Sequence, residues 1–85
     1  MQIHYNAENA VLHIRLDGEI DHHSSSDMRT EIDSAIYAHL PETLVLDFQD
    51  VSFMDSSGIG LIMGRHKIIS PLGGDLIIAN PAPHI

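Results

Sequence analysis

Twice in this chain a strand-like run passes through a polar turn into a stripe of helical period. From Ala10 to Asp17, Leu12, Ile14 and Leu16 alternate with Val11, His13 and Arg15. That is the period of a strand with one covered face. Gly18 to His23 leaves the strand, and Ser24-Ser25-Ser26-Asp27 opens a helix. Met28, Ile32, Ala35, Ile36 and His39 or Leu40 then recur on one side. Pro41 stops the helix. Thr43 to Phe48 repeats the strand pattern, with Leu44, Leu46 and Phe48 as the covered set. Asp55-Ser56-Ser57-Gly58 opens a second helix, where Ile59, Ile62, Met63, His66 and Ile69 recur to about Ser70. Pro71-Leu72-Gly73-Gly74 ends it, and Asp75 to Ala79 reads as a last strand.

Each strand-helix-strand unit joins parallel strands by a right-handed crossover. Upstream, Gln2 to Tyr5 reads as a short strand, tied to the next by the polar turn Asn6–Asn9 as a hairpin. The predicted fold is therefore α/β, one domain over residues 1–85, in the order β-β-α-β-α-β. Its mixed four-stranded sheet has strand order 1-2-3-4, with both helices on one face. The clean alternation of the second strand supports a single covered face. Asn80-Pro81-Ala82-Pro83-His84-Ile85 reads as a tail.

Eighty-five residues leave room for one small core. Four basic residues against twelve acidic ones give a net charge of -8. That argues against nucleic-acid binding, which needs a cationic footprint. It suits a basic protein partner. With no cysteine, disulfides and Cys-based zinc sites are excluded. No run reaches the length of a membrane span, and the N-terminus lacks the basic and apolar regions of a signal peptide. A cytoplasmic protein with no membrane partner is expected.

Functional sites in open α/β sheets gather at the carboxyl ends of strands. The second strand runs into Asp21-His22-His23 and the third into Asp55-Ser56. If these strands are parallel neighbours, Asp21, Asp55 and Ser56 come together. Ser56 or Ser57 is the expected N-cap of the second helix. Ser24 and Asp27 are spaced as a capping box for the first. A serine at a helix start lies near free N–H groups and the positive end of the dipole, a place that takes a phosphate. Gly58 and Gly60 would keep that start open, since no Cβ blocks a partner. The same residues also suit a plain cap, and Asp21 a solvated loop position.

Other features carry less. Adjacent histidines such as His22 and His23 rarely converge on one ion, and no metal or cofactor motif is present. His13 and His39 read as surface residues, His66 as a core-edge histidine, and Met28, Met54 and Met63 as packing residues. Ser56 with a nearby His and Asp could imitate a small serine hydrolase. The turn is not Gly-x-Ser-x-Gly, and so short a chain builds a substrate pocket with difficulty.

Three blocks carry a resemblance: Ser52-Phe53-Met54-Asp55-Ser56-Ser57-Gly58-Ile59-Gly60, Gly18-Glu19-Ile20-Asp21-His22-His23, and Gly64-Arg65-His66-Lys67 through Gly73-Gly74. Together they resemble the anti-sigma factor antagonists of the STAS domain family, from about Val11 to Pro81. The His-His pair and the Ser-Phe-Met-Asp-Ser-Ser-Gly string are most similar to those of the sporulation antagonists of spore-forming bacteria. The resemblance implies a non-enzymatic switch. Its unphosphorylated form binds an anti-sigma factor that is itself a serine kinase, and so frees the sigma factor. Phosphorylation on Ser56 ends binding, and a metal-dependent serine phosphatase resets the switch. Asp21, Asp55, Ser57, Gly58 and Gly60 match positions around the phosphorylated serine. A regulatory module of a transporter or sensor complex is the alternative within the family. Family members usually continue past the fourth strand with further helices, whereas this sequence stops at Ile85. The expectation that follows is an uncovered last strand and a homodimer formed through it or through the helix-free face with Val45 and Ile77.

Overall fold

The computed structural model describes residues 1–81. Its elements are β1 (Gln2–Asn6), β2 (Val11–Ile20), α1 (Ser25–His39), β3 (Thr43–Met54), α2 (Ser56–Ile69) and β4 (Asp75–Ala79). A turn of 3-10 helix, Ser70–Leu72, joins α2 to β4. The strands form one sheet in the order β1-β2-β3-β4. β1 is antiparallel to β2, and both other pairings are parallel. This is the predicted mixed sheet. Leu12, Ile14 and Leu16 of β2 and Leu44, Leu46 and Phe48 of β3 form one core with Ile32 and Ile36 of α1 and Leu61 and Ile69 of α2. Both helices therefore cover the same face. Each of these side chains contributes about 1.5–3 kcal/mol by leaving water.

Two strands are longer than their alternation suggests. β2 continues past Asp17 to Ile20, and β3 continues past Phe48 to Met54. The register explains why. Arg15 pairs with Asp47 but Asp17 with Asp50, and Gly18 pairs with Val51 but Glu19 with Phe53. β3 thus carries one extra residue at each of two bulges. A bulge changes which face the later side chains take. β2 keeps its period, with Ile20 buried in line with Leu16, while β3 buries Phe48, Val51 and part of Met54. Gly18 takes φ +72° at this place, which glycine adopts without penalty.

The helices also differ from expectation at particular residues. Ser24 sits at the N-cap of α1, but its side chain caps nothing, so the capping box is not formed. The Ser24 hydroxyl is engaged in the preceding loop instead. His39 and Leu40 are exposed at the end of α1. His39 stacks on Tyr5 with centroids 4.3 Å apart. In α2 the buried row is Gly58, Leu61, Arg65 and Ile69. Ile59, Met63 and His66 face outward, so neither His66 nor Met63 belongs to the core. Met28 and Met54 do pack against it.

The helix-free face of the sheet holds one buried carboxylate. Asp47 is 3% exposed. Its Oδ1 accepts from the Gln49 N–H and from Asn80 Nδ2, both at 3.0 Å. Its Oδ2 lies 3.3 Å from His13 Nε2 and 3.7 Å from Arg15 Nε. The Asn80 amide, then the Gln49 N–H, Arg15 and His13, hold this carboxyl below the usual range against the opposing effect of burial. Asn80 and Pro81 follow β4; the rest of the predicted tail lies outside the described residues.

Candidate functional site

The extended pairing of β2 with β3 ends at Ile20 and Met54, which are register partners. The Asp55 N–H closes this end by donating to the Ile20 carbonyl at 3.1 Å. The loops carrying Asp21 and Asp55-Ser56 therefore leave the sheet side by side.

Each loop is built around an aspartate. The Asp21 carboxylate accepts from the N–H groups of His23 and Ser24, both at 2.9 Å. The Asp21 N–H donates to Ser24 Oγ at 3.0 Å, and that hydroxyl donates to the Glu19 carbonyl at 2.8 Å. These bonds, the Ser24 N–H first, hold the Asp21 carboxyl below its ordinary value. Asp21 is therefore more than a solvated loop residue: it ties the turn that starts α1. His22 and His23 are exposed and meet edge to face. Among the described residues no three His, Cys, Asp or Glu side chains are grouped to hold a metal.

Asp55 is the N-cap of α2, in place of the expected serine. Its Oδ1 accepts from the Ser57 N–H at 2.7 Å. Asp is among the strongest N-caps, and its charge suits the helix dipole. Ser56 then becomes the first residue of α2. It is exposed, and its hydroxyl makes no hydrogen bond among the described residues. Ser57 and Asp55 are half-buried. Gly58 is buried, and a Cβ there would run into the Met54 side chain. Its role in the fold is internal packing, not an open approach. Gly60 is exposed, with nothing within 4 Å of an added Cβ.

Two arginines without an expected role at the site, Arg29 and Arg65, lie beside this corner. A cleft of about 290 Å³ between α1 and α2 is lined by Ser25, Arg29, Ser57, Gly60, Gly64 and Arg65, among others. The Arg65 side chain is 6% exposed, and its Nε lies 2.8 Å from Asp33 Oδ1 on α1. Nη1 donates to the Leu61 carbonyl at 3.2 Å and Nη2 to Asp33 Oδ2 at 3.5 Å. Burial lowers the Arg65 pKa, and Asp33 opposes the shift. The signal was the row Leu61-Arg65-Ile69 at helical spacing, which places a guanidinium among core residues.

With this geometry, comparison with known proteins is direct. The STAS domain model matches residues 2–85. An anti-sigma F factor antagonist of Paenibacillus polymyxa is 40% identical over all 85 residues, which span 73% of its length. One from Lysinibacillus sphaericus is 41% identical over 70 residues, 82% of this chain and 60% of that protein. The structure of the anti-sigma factor antagonist SpoIIAA in its unphosphorylated form superposes with TM-score 0.80 at 38% identity, covering 96% of this chain and 70% of that one. The phosphorylated form of the Bacillus cell fate determinant SpoIIAA gives TM-score 0.77 at 37% identity, covering 98% and 74%. The chain belongs to the STAS domain family. No helix among its described residues is long and apolar enough to cross a membrane.

Proposed function

We propose that this protein is an anti-sigma factor antagonist working in the cytoplasm as a phosphorylation-controlled binding switch. Unphosphorylated, it binds an anti-sigma factor serine kinase and releases the sigma factor. Transfer of phosphate from ATP to Ser56 ends the complex, and a serine phosphatase restores the binding form. The observation that carries this reading is the Ser56 hydroxyl itself. It is exposed at the first turn of α2 and is free because Asp55 does the capping. The names of the relatives, and a relative solved in both phosphorylation states, support the same reading.

The chemistry of release is electrostatic. A phosphate adds about -1.5 to -2 charges at neutral pH. At Ser56 it would meet a favourable helix N-terminus on one side and the carboxylates of Asp55 and Asp21 on the other. These local effects oppose each other, so the fold persists. In an interface the same group must lose its water, and an unpaired buried charge costs about 3–5 kcal/mol. Partner release then follows from surface chemistry, without refolding.

The test is incubation with the cognate anti-sigma kinase and ATP, followed by mass mapping. One phosphate is expected, on Ser56. Ser56→Ala should bind the kinase and accept none, and Ser56→Asp should bind weakly. A phosphate found only on Ser24, Ser25 or Ser26 would overturn the proposal.

A further inference from the structure

We infer that the cleft between the starts of α1 and α2 binds a small tetrahedral oxyanion of the phosphate class. The chain has only four basic residues. Arg15 lies among Asp47 and Asp50 on the far face of the sheet. Arg29 and Arg65 both line this one cleft, with Ser25 on the α1 side and Ser57 on the α2 side. Arg29 makes no ion pair among the described residues. Arg65 is paired with Asp33, and the positive charge of Arg29 is felt at its guanidinium. Two guanidiniums thus line one hollow, and the one carboxylate paired with either of them is Asp33, on Arg65. An entering dianion relieves that repulsion.

The buried end of the cleft points the same way. Arg65 Nε is fully buried and has no aligned hydrogen-bond acceptor. The Asp33 oxygen at 2.8 Å lies off the N–H axis and so acts as an ion-pair partner only. Nε and Asp33 Oδ1 are thus paired by charge but not by an aligned hydrogen bond, and so incompletely satisfied a buried pairing is uncommon. The α2 wall is also unusual. A Cβ at Gly60 or Gly64 would meet nothing within 4 Å, so packing does not require glycine at either place. Glycine inside a helix is less stable than alanine. What the two glycines do is leave volume beside the arginines, ample for one oxyanion and some of its water.

The net charge of -8 opposes any anion at a distance. Beyond about 8 Å that repulsion is screened at physiological salt, and the adjacent guanidiniums decide. Arginine forks match oxyanion geometry with short, charge-assisted bonds. Binding in the millimolar range is the expectation. Ser57 and Gly60 line the cleft but Ser56 does not, and the titration below uses no partner and no kinase, so its failure is distinguishable from failure of the proposed switch.

The experiment is a titration of the unphosphorylated chain, followed by amide shifts in a two-dimensional nitrogen–proton spectrum. Inorganic phosphate and glycerol phosphate form two arms, with chloride at matched ionic strength as the reference. Saturable shifts at Ser25, Ser57, Gly60 and Gly64 are expected with phosphate and not with chloride. Tighter binding in one arm tells whether the free ion or an ester is preferred. Arg29→Ala should weaken binding at least about tenfold, the loss of one charge-assisted contact. Gly64→Leu should fill the cleft and abolish saturation with the fold intact. Lys67→Ala removes a charge elsewhere and should leave the affinity unchanged. Shifts that do not saturate, or an equal loss in Lys67→Ala and Arg29→Ala, would overturn the inference.

Discussion

Asp47 and Asp21 are both aspartates with lowered pKa, yet their surroundings differ. Asp21 is bonded to its own loop, where the backbone can turn to water if the side chain is lost. Asp47 is buried and bonds within its own strand to Gln49 and across to Asn80 after β4. Asp47→Ala leaves those donors short of an acceptor, and we expect a loss of about 1–3 kcal/mol in urea unfolding. The sign with pH follows from the lowered pKa. A carboxylate held below its ordinary value stabilises the fold fully above about pH 4. That contribution fades as the pH falls through the folded-state value. The stability gap between the wild type and Asp47→Asn should therefore narrow in acid; a gap that widens would contradict the ionised, bonded carboxylate. The role of Asp47 was not legible in the sequence, because it depends on a partner brought by folding, whereas the partners of Asp21 lie within three residues of it. The Asn80 contact bridges 33 residues. The positions around Ser56 were legible because they adjoin one another in the chain. Which of them caps α2 was not, because Asp and Ser are nearly equal as caps.

Among the elements, α2 shows how far periodicity carries. Ile59, Leu61, Ile62, Met63, Ile68 and Ile69 surround the helix, so two stripes fit the same residues. The structure selects the row through Gly58, Leu61 and Arg65. Met54 occupies the gap at Gly58, and Asp33 holds Arg65, and both were invisible to a count of apolar residues. The consequence is measurable. Leu61→Ala, at 4% exposure, should cost about 2–5 kcal/mol. Met63→Ala, at 57% exposure, should stay within about 0.5 kcal/mol. The reverse order in thermal or urea unfolding would mean that α2 is rotated. By contrast α1, whose apolar residues keep to one side, buried Ile32 and Ile36 as its stripe predicted.

For the whole molecule, strand order and helix placement followed from the alternation of elements, since few topologies satisfy two right-handed crossovers. The lengths of β2 and β3 did not, because the bulges interrupt the very alternation used to find strands. Beyond β3, β4 is an edge strand, with Ile77 50% and Ile78 37% exposed. An apolar hollow of about 110 Å³ beside it is lined by Phe48, Met54, Ile59, Ile62, Ile78 and Pro81. An exposed apolar edge favours pairing with another chain. The charge of -8 opposes it, and salt weakens that opposition. We expect the 85-residue chain to self-associate reversibly at micromolar concentration, more strongly at high salt. A single species of 9.4 kDa, unchanged by concentration or salt in sedimentation, would show that the edge is tolerated. The two bulges of β3 have a further effect, one of parity. Each one-residue insertion inverts the facing of everything after it, and the pair restores it. Met54 is turned inward and Phe53 outward because there are two of them and not one. The corner that presents Ser56 is therefore sensitive to an odd change of length in residues 48–53 and indifferent, in facing, to an even one.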